Sequence, residues 1–453
     1  MRSFYRGCIA MPSFVDSHCH VAGVGEALKT PDLSSAKSEE ECISIVMRSG
    51  FSRRGWLYAM GWNQENWEKK NFPTRQSLDS GLKGAPAFLK RADGHCAWVS
   101  SEALAIAGVN KNTEDPPGGK IVRDNDGRPT GLLVDNAVNL VEKFLPKYSI
   151  PDLCEFVVTG AKELARFGIT EMHDMDVSED SLEAACIADY SGRLQCKIFC
   201  YVGVSSYDFR REMVSSSNVK PLGIKLFMDG ALGSRGAAML EPYSDAHKEQ
   251  GLALLTEDDV VRYAAHAAEM DYQTAAHAIG DKANLVLSKA FLRIRKEFPN
   301  AILRAEHAQI MTKEAINNYA GADAVISIQP AHYESDMIMA AQRLGARRYA
   351  ERAYLWGSLA KAGLTLISGS DAPIEPPDAL RGIHTLNTRA NEAISLDHAF
   401  ETYTTLPRKI THSSLNFAKG ESADFVIVRG DKVAATYYNG APIFEDGSAE
   451  IIS

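Results

Sequence analysis

From about residue 150 onward, short runs of β-branched and other apolar residues alternate with longer segments that are apolar on one face only. This alternation is typical of βαβ units, in which helices connect parallel strands. One further apolar run near the N-terminus brings the number of candidate strands to eight, and eight strands with intervening helices predict a closed (β/α)8 barrel. The predicted strands are residues 14–20, 168–172, 195–202, 223–228, 273–277, 301–307, 324–329 and 364–370.

The segments between these strands carry the apolar periodicity of helices, for example at residues 155–167 and 258–270. Thr256 precedes the second of these segments, and Asp259 lies three residues further on. This spacing predicts a capping box at the start of a helix.

The gap between the first and second strands is too long for one crossover, so we predict an insertion there. Residues 51–135 contain four of the five tryptophans of the chain and several turn signals, such as Asn-Asp-Gly at 125–127. This pattern predicts a small β-rich subdomain. Its tryptophans could form a core of their own, or a lid that lends aromatic rings to a substrate pocket.

Residues 423–444 predict hairpins with turns at 429–431 and 439–440, and residues 3–9 could add another strand. The chain is thus expected to combine a barrel, an insertion and a small β-sandwich. The barrel is assigned to residues 11–50 and 136–415, the insertion to 51–135, and the sandwich to 1–10 and 416–453.

The chain has 49 basic and 58 acidic side chains, a formal net charge of −9, and a composition that is 45% hydrophobic. This is ordinary for a globular protein. The acidic balance argues against nucleic-acid binding, which needs a clustered basic face, and no apolar run reaches the roughly 18 residues of a membrane span. The eight cysteines form no Cys-x-x-Cys pair, which suits a reducing compartment. We therefore expect a cytoplasmic protein without a nucleic-acid or membrane partner.

Two histidines, His18 and His20, close the first predicted strand. Because side chains alternate across a strand, imidazoles at i and i+2 point the same way, as two ligands of one metal ion would. An isolated pair of this kind is more often structural than metal-binding. Its position strengthens the metal-site interpretation, since active sites of (β/α)8 barrels are built at the carboxyl ends of the strands.

Three other candidates occupy the same relative place on later strands. His277 and His307 end the fifth and sixth predicted strands, and Asp371 directly follows the eighth. Each has a structural alternative, because a strand histidine can be a hydrogen-bonded core residue and Ser-Asp-Ala-Pro can form a turn or an N-cap. Their shared placement at strand ends favours a common site.

Lys225 lies inside the fourth predicted strand. An interior barrel strand is buried on both faces, where an unpaired ammonium is costly. The side chain could snorkel toward the strand end or form a salt bridge. Alternatively, a desolvated lysine has a lowered pKa and is nucleophilic enough to react with CO₂, giving a carbamate that could bridge two metal ions.

From residue 14 to about residue 390 the chain resembles the amidohydrolase superfamily, and in particular its amidohydrolase-3 branch, also called YtcJ-like. The run Val15-Asp16-Ser17-His18-Cys19-His20, a strand lysine, two strand-terminal histidines and a final Ser-Asp follow the ligand order of that superfamily. The other matching strings are GWNQENW (61–67), FPTRQSLD (72–79), DGHCAWVSSEAL (93–104), TGLLVDNA (130–137), KLFMDGALGSR (225–235), HAIGDKAN (277–284), EHAQ (306–309) and GSDAPIEP (369–376).

The resemblance implies two divalent metal ions on the barrel. His18, His20 and Asp371 would hold the more buried ion, His277 and His307 would hold the other, and a carbamate on Lys225 would bridge them. The imidazole and carboxylate set suits Zn²⁺ best, and leaves Mn²⁺, Fe²⁺, Co²⁺ or Ni²⁺ open.

The activity implied by the resemblance is hydrolysis of a non-peptide C–N bond in a small molecule, such as an N-acyl or N-formyl amide, through a hydroxide that bridges the metals. Asp371 would carry the proton from this nucleophile to the leaving amine. A mononuclear deaminase, or a cyclic amide or lactone hydrolase, would use the same site. A catalytically silent binding protein is the alternative from another class, although no ligand position is lost.

Weaker candidates for substrate contact lie outside the six ligands. They are Asp93 and His95 in the insertion, Asp229, Ser234 and Arg235 after the lysine strand, and His332 after the seventh strand. Only 17 residues precede His18, so we expect the flanking sandwich to be reduced relative to the family. An exposed reduced sandwich could support a homodimer.

Overall fold

The computed structural model describes residues 2–4, 7–92, 94–116, 118–205, 213–413, 423–447 and 450–452. The chain divides into two compact units, one formed by Met1–Gly25 with Leu153–Ser453 and the other by Glu26–Asp152. The second unit contains all of the predicted insertion and extends beyond it at both ends. Within the described ranges, no helix has the length and apolar character to cross a bilayer.

Strands occur in both units. They are β1 (Arg2–Phe4), β2 (Ile9–Pro12), β3 (Phe14–Cys19), β4 (Leu57–Trp62), β5 (Ala87–Arg91), β6 (Cys96–Val99), β7 (Gly119–Arg123), β8 (Pro129–Asp135), β9 (Ile169–Val177), β10 (Lys197–Gly203), β11 (Val219–Phe227), β12 (Gln273–Ala278), β13 (Leu303–His307), β14 (Val325–Ile328), β15 (Thr365–Ser368), β16 (Phe425–Arg429), β17 (Lys432–Tyr438), β18 (Ala441–Glu445) and β19 (Glu450–Ile452).

Helices connect most of these strands. They are α1 (Val21–Lys29), α2 (Glu39–Ser49), α3 (Arg75–Gly81), α4 (Ser101–Ile106), α5 (Asn139–Glu142), α6 (Ile150–Arg166), α7 (Glu179–Tyr190), α8 (Glu257–Glu269), α9 (Asp281–Glu297), α10 (Lys313–Gly321), α11 (Pro330–Arg352), α12 (Trp356–Lys361), α13 (Ala379–Thr388), α14 (Leu396–Thr402) and α15 (Thr405–Thr411). The capping box predicted for α8 is confirmed, with Thr256 and Asp259 each bonded to the other's backbone amide.

Eight parallel strands form the main sheet of the first unit, in the order β3, β9, β10, β11, β12, β13, β14 and β15. Each overlaps one of the predicted strands, so that prediction is confirmed. Between the last strand and the first, the amide of Asp371 donates to the carbonyl of His18 at 2.6 Å, and the amide of Ser370 donates to Oδ1 of Asp16 at 3.0 Å. These bonds draw the two edges together, and the sheet is a nearly closed (β/α)8 barrel.

Two antiparallel sheets are formed by strands that come before and after the barrel strands in the chain. One contains β2, β16, β17 and β18, and the other pairs β1 with β19. The predicted N-terminal strand does join the sheet of β16, but it is β2 at Ile9–Pro12. The bounds predicted at residues 3–9 are wrong, because β1 at Arg2–Phe4 pairs with β19 instead. Gly7 separates β1 from β2 with a φ of 68°, a left-handed conformation that interrupts extended backbone. The predicted turn at 439–440 is confirmed, since Asn439 and Gly440 both have positive φ.

The second unit is built on a five-stranded sheet in the order β4, β5, β6, β8 and β7. Trp62, Trp67 and Trp98 are buried in its core, with ring centroids 6.0–6.4 Å apart. The indole nitrogens of Trp62 and Trp98 donate to backbone carbonyls, which satisfies the polar edge that burial would otherwise leave unpaired. This arrangement supports the interpretation of the tryptophans as a core.

Glycine allows a close contact between α1 and α6. A Cβ at Gly160 would lie 2.0 Å from the carbonyl oxygen of Val21, and one at Gly25 would lie 1.8 Å from that of Phe156. Both clashes are with backbone, which cannot move aside as a flexible side chain can.

Gly160→Ala is expected to lower the free energy of unfolding by about 1–3 kcal/mol, the usual result of forcing extra volume into a packed contact. Gly321→Ala in α10 is the matched control, because its nearest neighbour would be the flexible side chain of Leu292 at 3.2 Å. Urea unfolding of both variants measures the difference. Equal losses at the two sites would contradict the close-packing explanation.

Candidate metal centre

All six predicted ligands line one cavity of about 380 Å³ at the carboxyl ends of the barrel strands. His18 and His20 come from the end of β3, Lys225 from β11, His277 from β12, His307 from β13 and Asp371 from the turn after β15. Residues from strands that are far apart in the chain thus form one cluster. It lies at the carboxyl ends of the strands, the usual place for an active site in this fold.

Asp371 lies between the two histidines of β3. Its Oδ1 atom is 3.1 Å from Nε2 of His20 and 3.5 Å from Nε2 of His18. Burial alone would raise the pKa of Asp371, but the hydrogen bond from His20 and the charge of His18 hold it well below its usual value. The carboxylate is therefore ionised and available to a cation.

Three of the histidines use the same ring nitrogen, Nδ1, to bond a neighbouring group. Nδ1 of His18 pairs with Oε2 of Glu306 at 2.6 Å, Nδ1 of His20 with the carbonyl of Met175 at 2.9 Å, and Nδ1 of His307 with Oε1 of Gln329 at 2.8 Å. A neutral imidazole that donates from Nδ1 keeps the lone pair of Nε2 for another partner, which is how neighbouring groups prepare metal-binding histidines. His18 and His307 fit this description, whereas Nε2 of His20 is hydrogen-bonded to Asp371.

Lys225 is fully buried, and its Nζ atom is 3.3 Å from Nε2 of His18. Burial lowers the pKa of Lys225, although the charges of Glu306 and Asp371 oppose the shift. Burial, followed by the charge of Lys225, also lowers the pKa of His18 to about 4. The structure thus favours a neutral imidazole and weakens the hold of the lysine on its proton.

Glu306 and His307 are consecutive, yet both reach His18. Residues next to each other in a regular strand point to opposite faces, but His307 has a φ of 69° and Ala308 one of 44°. The strand therefore ends in left-handed backbone, which places the His307 ring centroid 4.7 Å from that of His18. Strained backbone of this kind is concentrated at functional sites, and Asp371 shares it with a φ of 62°.

His277 completes the cluster next to His307, with ring centroids 4.7 Å apart. Its Nε2 atom is buried without a hydrogen-bond partner and lies 3.4 Å from Oδ1 of Asp229. Asp229 accepts hydrogen bonds from the backbone amides of Ala238, Ile279 and Gly280. It therefore holds the loops around the site in place.

A buried ion pair under the site was missed by the sequence reasoning. Arg304 and Glu306 of β13 are both fully buried, with Nε to Oε1 at 2.8 Å and Nη2 to Oε2 at 3.2 Å. Because Glu306 also accepts the hydrogen bond of His18, the pair orients a candidate ligand. The sequence did contain a signal for this ion pair, because two oppositely charged residues lie at i and i+2 of a strand predicted to be buried.

Asp16 was also missed, although it lies within the matched run on β3. Its Oδ2 accepts a hydrogen bond from the Ser370 hydroxyl at 2.6 Å, and its Oδ1 accepts one from the His18 amide at 3.1 Å. Burial raises the pKa of Asp16 to about 6. The residue links the first and last barrel strands where they carry His18 and Asp371.

The structure brings some of the weaker candidates to the site and not others. His332 lines the cavity, and its Nε2 is 3.5 Å from Oδ2 of Asp371. Arg235 instead forms two hydrogen bonds with Asp245 and is not among the described lining residues. Ser234 donates to a backbone carbonyl of its own turn. His95 is exposed in the second unit, with Nδ1 at 3.0 Å from Asp135, and Asp93 lies outside the described residues.

Known proteins resemble this chain in sequence and in fold. A sequence profile of the Amidohydrolase family matches residues 6–439. The Bacillus subtilis (strain 168) protein named "Putative amidohydrolase YtcJ" is 32% identical over 454 aligned residues, which cover 94% of this chain and 85% of that protein. The N-substituted formamide deformylase of Arthrobacter pascens is 24% identical over 324 residues, covering 67% and 59%. Among solved structures, an uncharacterized metal-dependent hydrolase from Pyrococcus furiosus superposes with a TM-score of 0.81 at 28% identity, covering 94% and 88%. The chain therefore belongs to the Amidohydrolase family of metal-dependent hydrolases.

Proposed function

We propose that this protein is a binuclear hydrolase that cleaves the non-peptide C–N bond of an N-acyl or N-formyl amide. The observation that carries the proposal is the convergence of all six predicted ligands on one cavity. A relative that is named as a deformylase of N-substituted formamides supports this choice of bond. We extend the proposal to a small-molecule substrate and a cytoplasmic location, and the homodimer stays a prediction.

The residues present fit divalent cations. The ligand atoms of His18, His20 and Asp371 lie within 4.8 Å of one another, and we assign the first cation to them. We assign the second cation to His277 and His307, since the Nε2 atom of His277 is buried and unpaired. Imidazole and carboxylate ligands suit Zn²⁺ best.

We assign the bridging ligand to Lys225. An ammonium 3.3 Å from Nε2 of His18 would repel cations bound nearby, whereas burial favours the neutral amine. A neutral amine that adds to CO₂ and loses one proton becomes a carbamate, with one negative charge spread over two oxygens. Carboxylation of Lys225 would thus replace an ammonium, which repels bound metal ions, with an anionic group that can bind them.

Divalent cations at this position would supply a hydroxide nucleophile at neutral pH and polarise the scissile carbonyl. Asp371 accepts the proton of the nucleophile and delivers it to the leaving nitrogen, because its carboxylate faces the cavity and is held by His20. His332 is the candidate donor to the substrate carbonyl oxygen, since its Nε2 atom has no hydrogen-bond partner.

Protein purified without chelators is expected to contain about two metal equivalents per chain, and its native mass should include one added CO₂. Removal of the metal with a chelator should abolish hydrolysis of an N-substituted formamide, and Zn²⁺ should restore it. Plasma mass spectrometry and native mass spectrometry give the two measurements. One equivalent without an adduct would favour the deaminase alternative, and no metal after reconstitution would contradict the proposal.

A further inference from the structure

Part of the cavity is lined by hydrogen-bond acceptors rather than donors. Gln309, Asp336 and Glu375 all line it, and we call these three residues the acceptor wall. Gln309 lies two residues beyond the end of β13, Asp336 in the second turn of α11, and Glu375 in the segment after Asp371. None of the three belongs to the set of candidate metal ligands.

One oxygen of each carboxylate in the acceptor wall already accepts hydrogen bonds from the protein. Oδ2 of Asp336 accepts from the hydroxyl of Tyr354 at 3.3 Å and from Nε2 of Gln309 at 3.5 Å. Oε1 of Glu375 accepts from the hydroxyl of Ser335 at 2.5 Å. These bonds hold one oxygen of each carboxylate, and the second oxygen of each has no partner among the described residues.

The amide of Gln309 provides the third acceptor. Gln309 is only 3% exposed, and its Oε1 atom is buried without a hydrogen-bond partner, while its Nε2 also donates to Tyr354 at 3.2 Å. His332, at 9% exposure, likewise presents an unpaired Nε2 atom to this cavity. Unpaired polar atoms at this depth are costly, which favours a polar ligand beside Gln309 and His332.

Acidic side chains outnumber basic ones in the described lining of this cavity. Neither Asp336 nor Glu375 forms an ion pair within the described part of the chain, and Arg381, whose charge Glu375 senses, is hydrogen-bonded to Glu334. Lys225 is the one lysine or arginine among the described lining residues, and it lies within the ligand cluster. Apolar side chains complete the lining, among them Phe227, Leu232 and Ile279.

We propose that the substrate is a monoacylated diamine, in which an apolar chain connects the scissile amide to a cationic amino group bound by the acceptor wall. An ammonium carries three N–H donors and no acceptor, which suits a lining that includes Gln309 and the carboxylates of Asp336 and Glu375, each with one oxygen free. A terminal carboxylate at the acceptor wall would face the carboxylates of Asp336 and Glu375, which carry the same charge. This inference rests on the proposed function of the ligand cluster.

Matched N-formyl substrates of increasing chain length test the inference with metal-loaded enzyme. Each length is offered with a terminal ammonium, methyl or carboxylate group, and kcat/KM is measured for all three. At the best chain length we expect the ammonium substrate to exceed the methyl substrate by about tenfold or more, as charge-assisted hydrogen bonds in a partly buried site allow. The carboxylate substrate should be the poorest.

Substitutions in the acceptor wall test whether it causes the preference for ammonium substrates. Asp336→Asn and Glu375→Gln should each reduce the ratio of kcat/KM for the ammonium over the methyl substrate. Glu351→Gln is the matched control, because it removes one acidic charge from an exposed residue of the same helix that pairs with Arg347. The ratio should be unchanged in the control.

Different results would contradict the diamine inference and the amidohydrolase proposal. Hydrolysis of the methyl substrates with no ammonium preference would overturn the diamine inference and leave the amidohydrolase proposal standing. If no formamide is cleaved, binding of hexylammonium and hexanol to metal-loaded protein by calorimetry still decides the inference. Tighter binding of hexylammonium, lost in Asp336→Asn, would support it, and equal binding would overturn it.

Discussion

Replacing Asp371 by asparagine is expected to lower kcat by roughly 10²–10⁴-fold, the usual contribution of a positioned acid or base. Asparagine keeps the shape of the side chain and can still bond to His20, so the barrel should remain folded. It cannot accept the proton that the nucleophile releases, nor deliver one to the leaving amine. The loss should therefore appear in kcat more than in KM.

Turnover of an N-formyl substrate, metal content and the urea midpoint should be measured together for this variant. Asp397→Asn in α14 is the control, because it makes the same change at an exposed position away from the cavity. Full metal content with lost turnover would assign proton transfer to Asp371. Near-normal kcat with full metal content would remove Asp371 from that role.

Glu306→Ala is expected to lower the free energy of unfolding by about 3–5 kcal/mol. The substitution leaves the guanidinium of Arg304 buried without a counter-charge, and its remaining bonds go to neutral groups on Ser17, His173 and Tyr201. It also removes the acceptor that fixes Nδ1 of His18. Stability and metal binding should therefore both decrease.

The double variant Arg304→Met/Glu306→Leu separates these two effects. Removing both charges together often restores stability, because no buried charge is left unpaired. Metal affinity should stay about 10–100-fold weaker in both variants, the usual cost of losing a carboxylate behind a metal-binding histidine. Urea unfolding and Zn²⁺ competition provide the measurements. Metal affinity that recovers along with stability would contradict the orienting role of Glu306.

Local sequence determined the elements of the barrel. Strands buried on both faces are mostly apolar, and the helices between them are apolar on one face, so the eight barrel strands could be predicted from the order of residues. The same reasoning located the ligand candidates, since the carboxyl ends of parallel strands meet at one end of the sheet. It misplaced the bounds of the N-terminal strand, because a left-handed glycine separates two strands that pair in different sheets.

Some residues near the site gave no comparable local signal. His332 and Arg235 were both candidates for substrate contact. Of the two, only His332 is among the described lining residues, because Asp245 holds Arg235 elsewhere. The acceptor wall combines residues from a strand end, a helix and a loop. No spacing rule relates their unpaired oxygens.

The sequence by itself determined the fold class, the order of the strands and the six candidate ligands, because strand periodicity and position at a strand end are local properties. Only the tertiary structure decided which groups orient those ligands and which line the cavity. Glu306 can bond to His18 only after β3 and β13 have entered the same barrel. Contacts between residues nearly three hundred positions apart depend on packing of the whole sheet, and no local pattern encodes them.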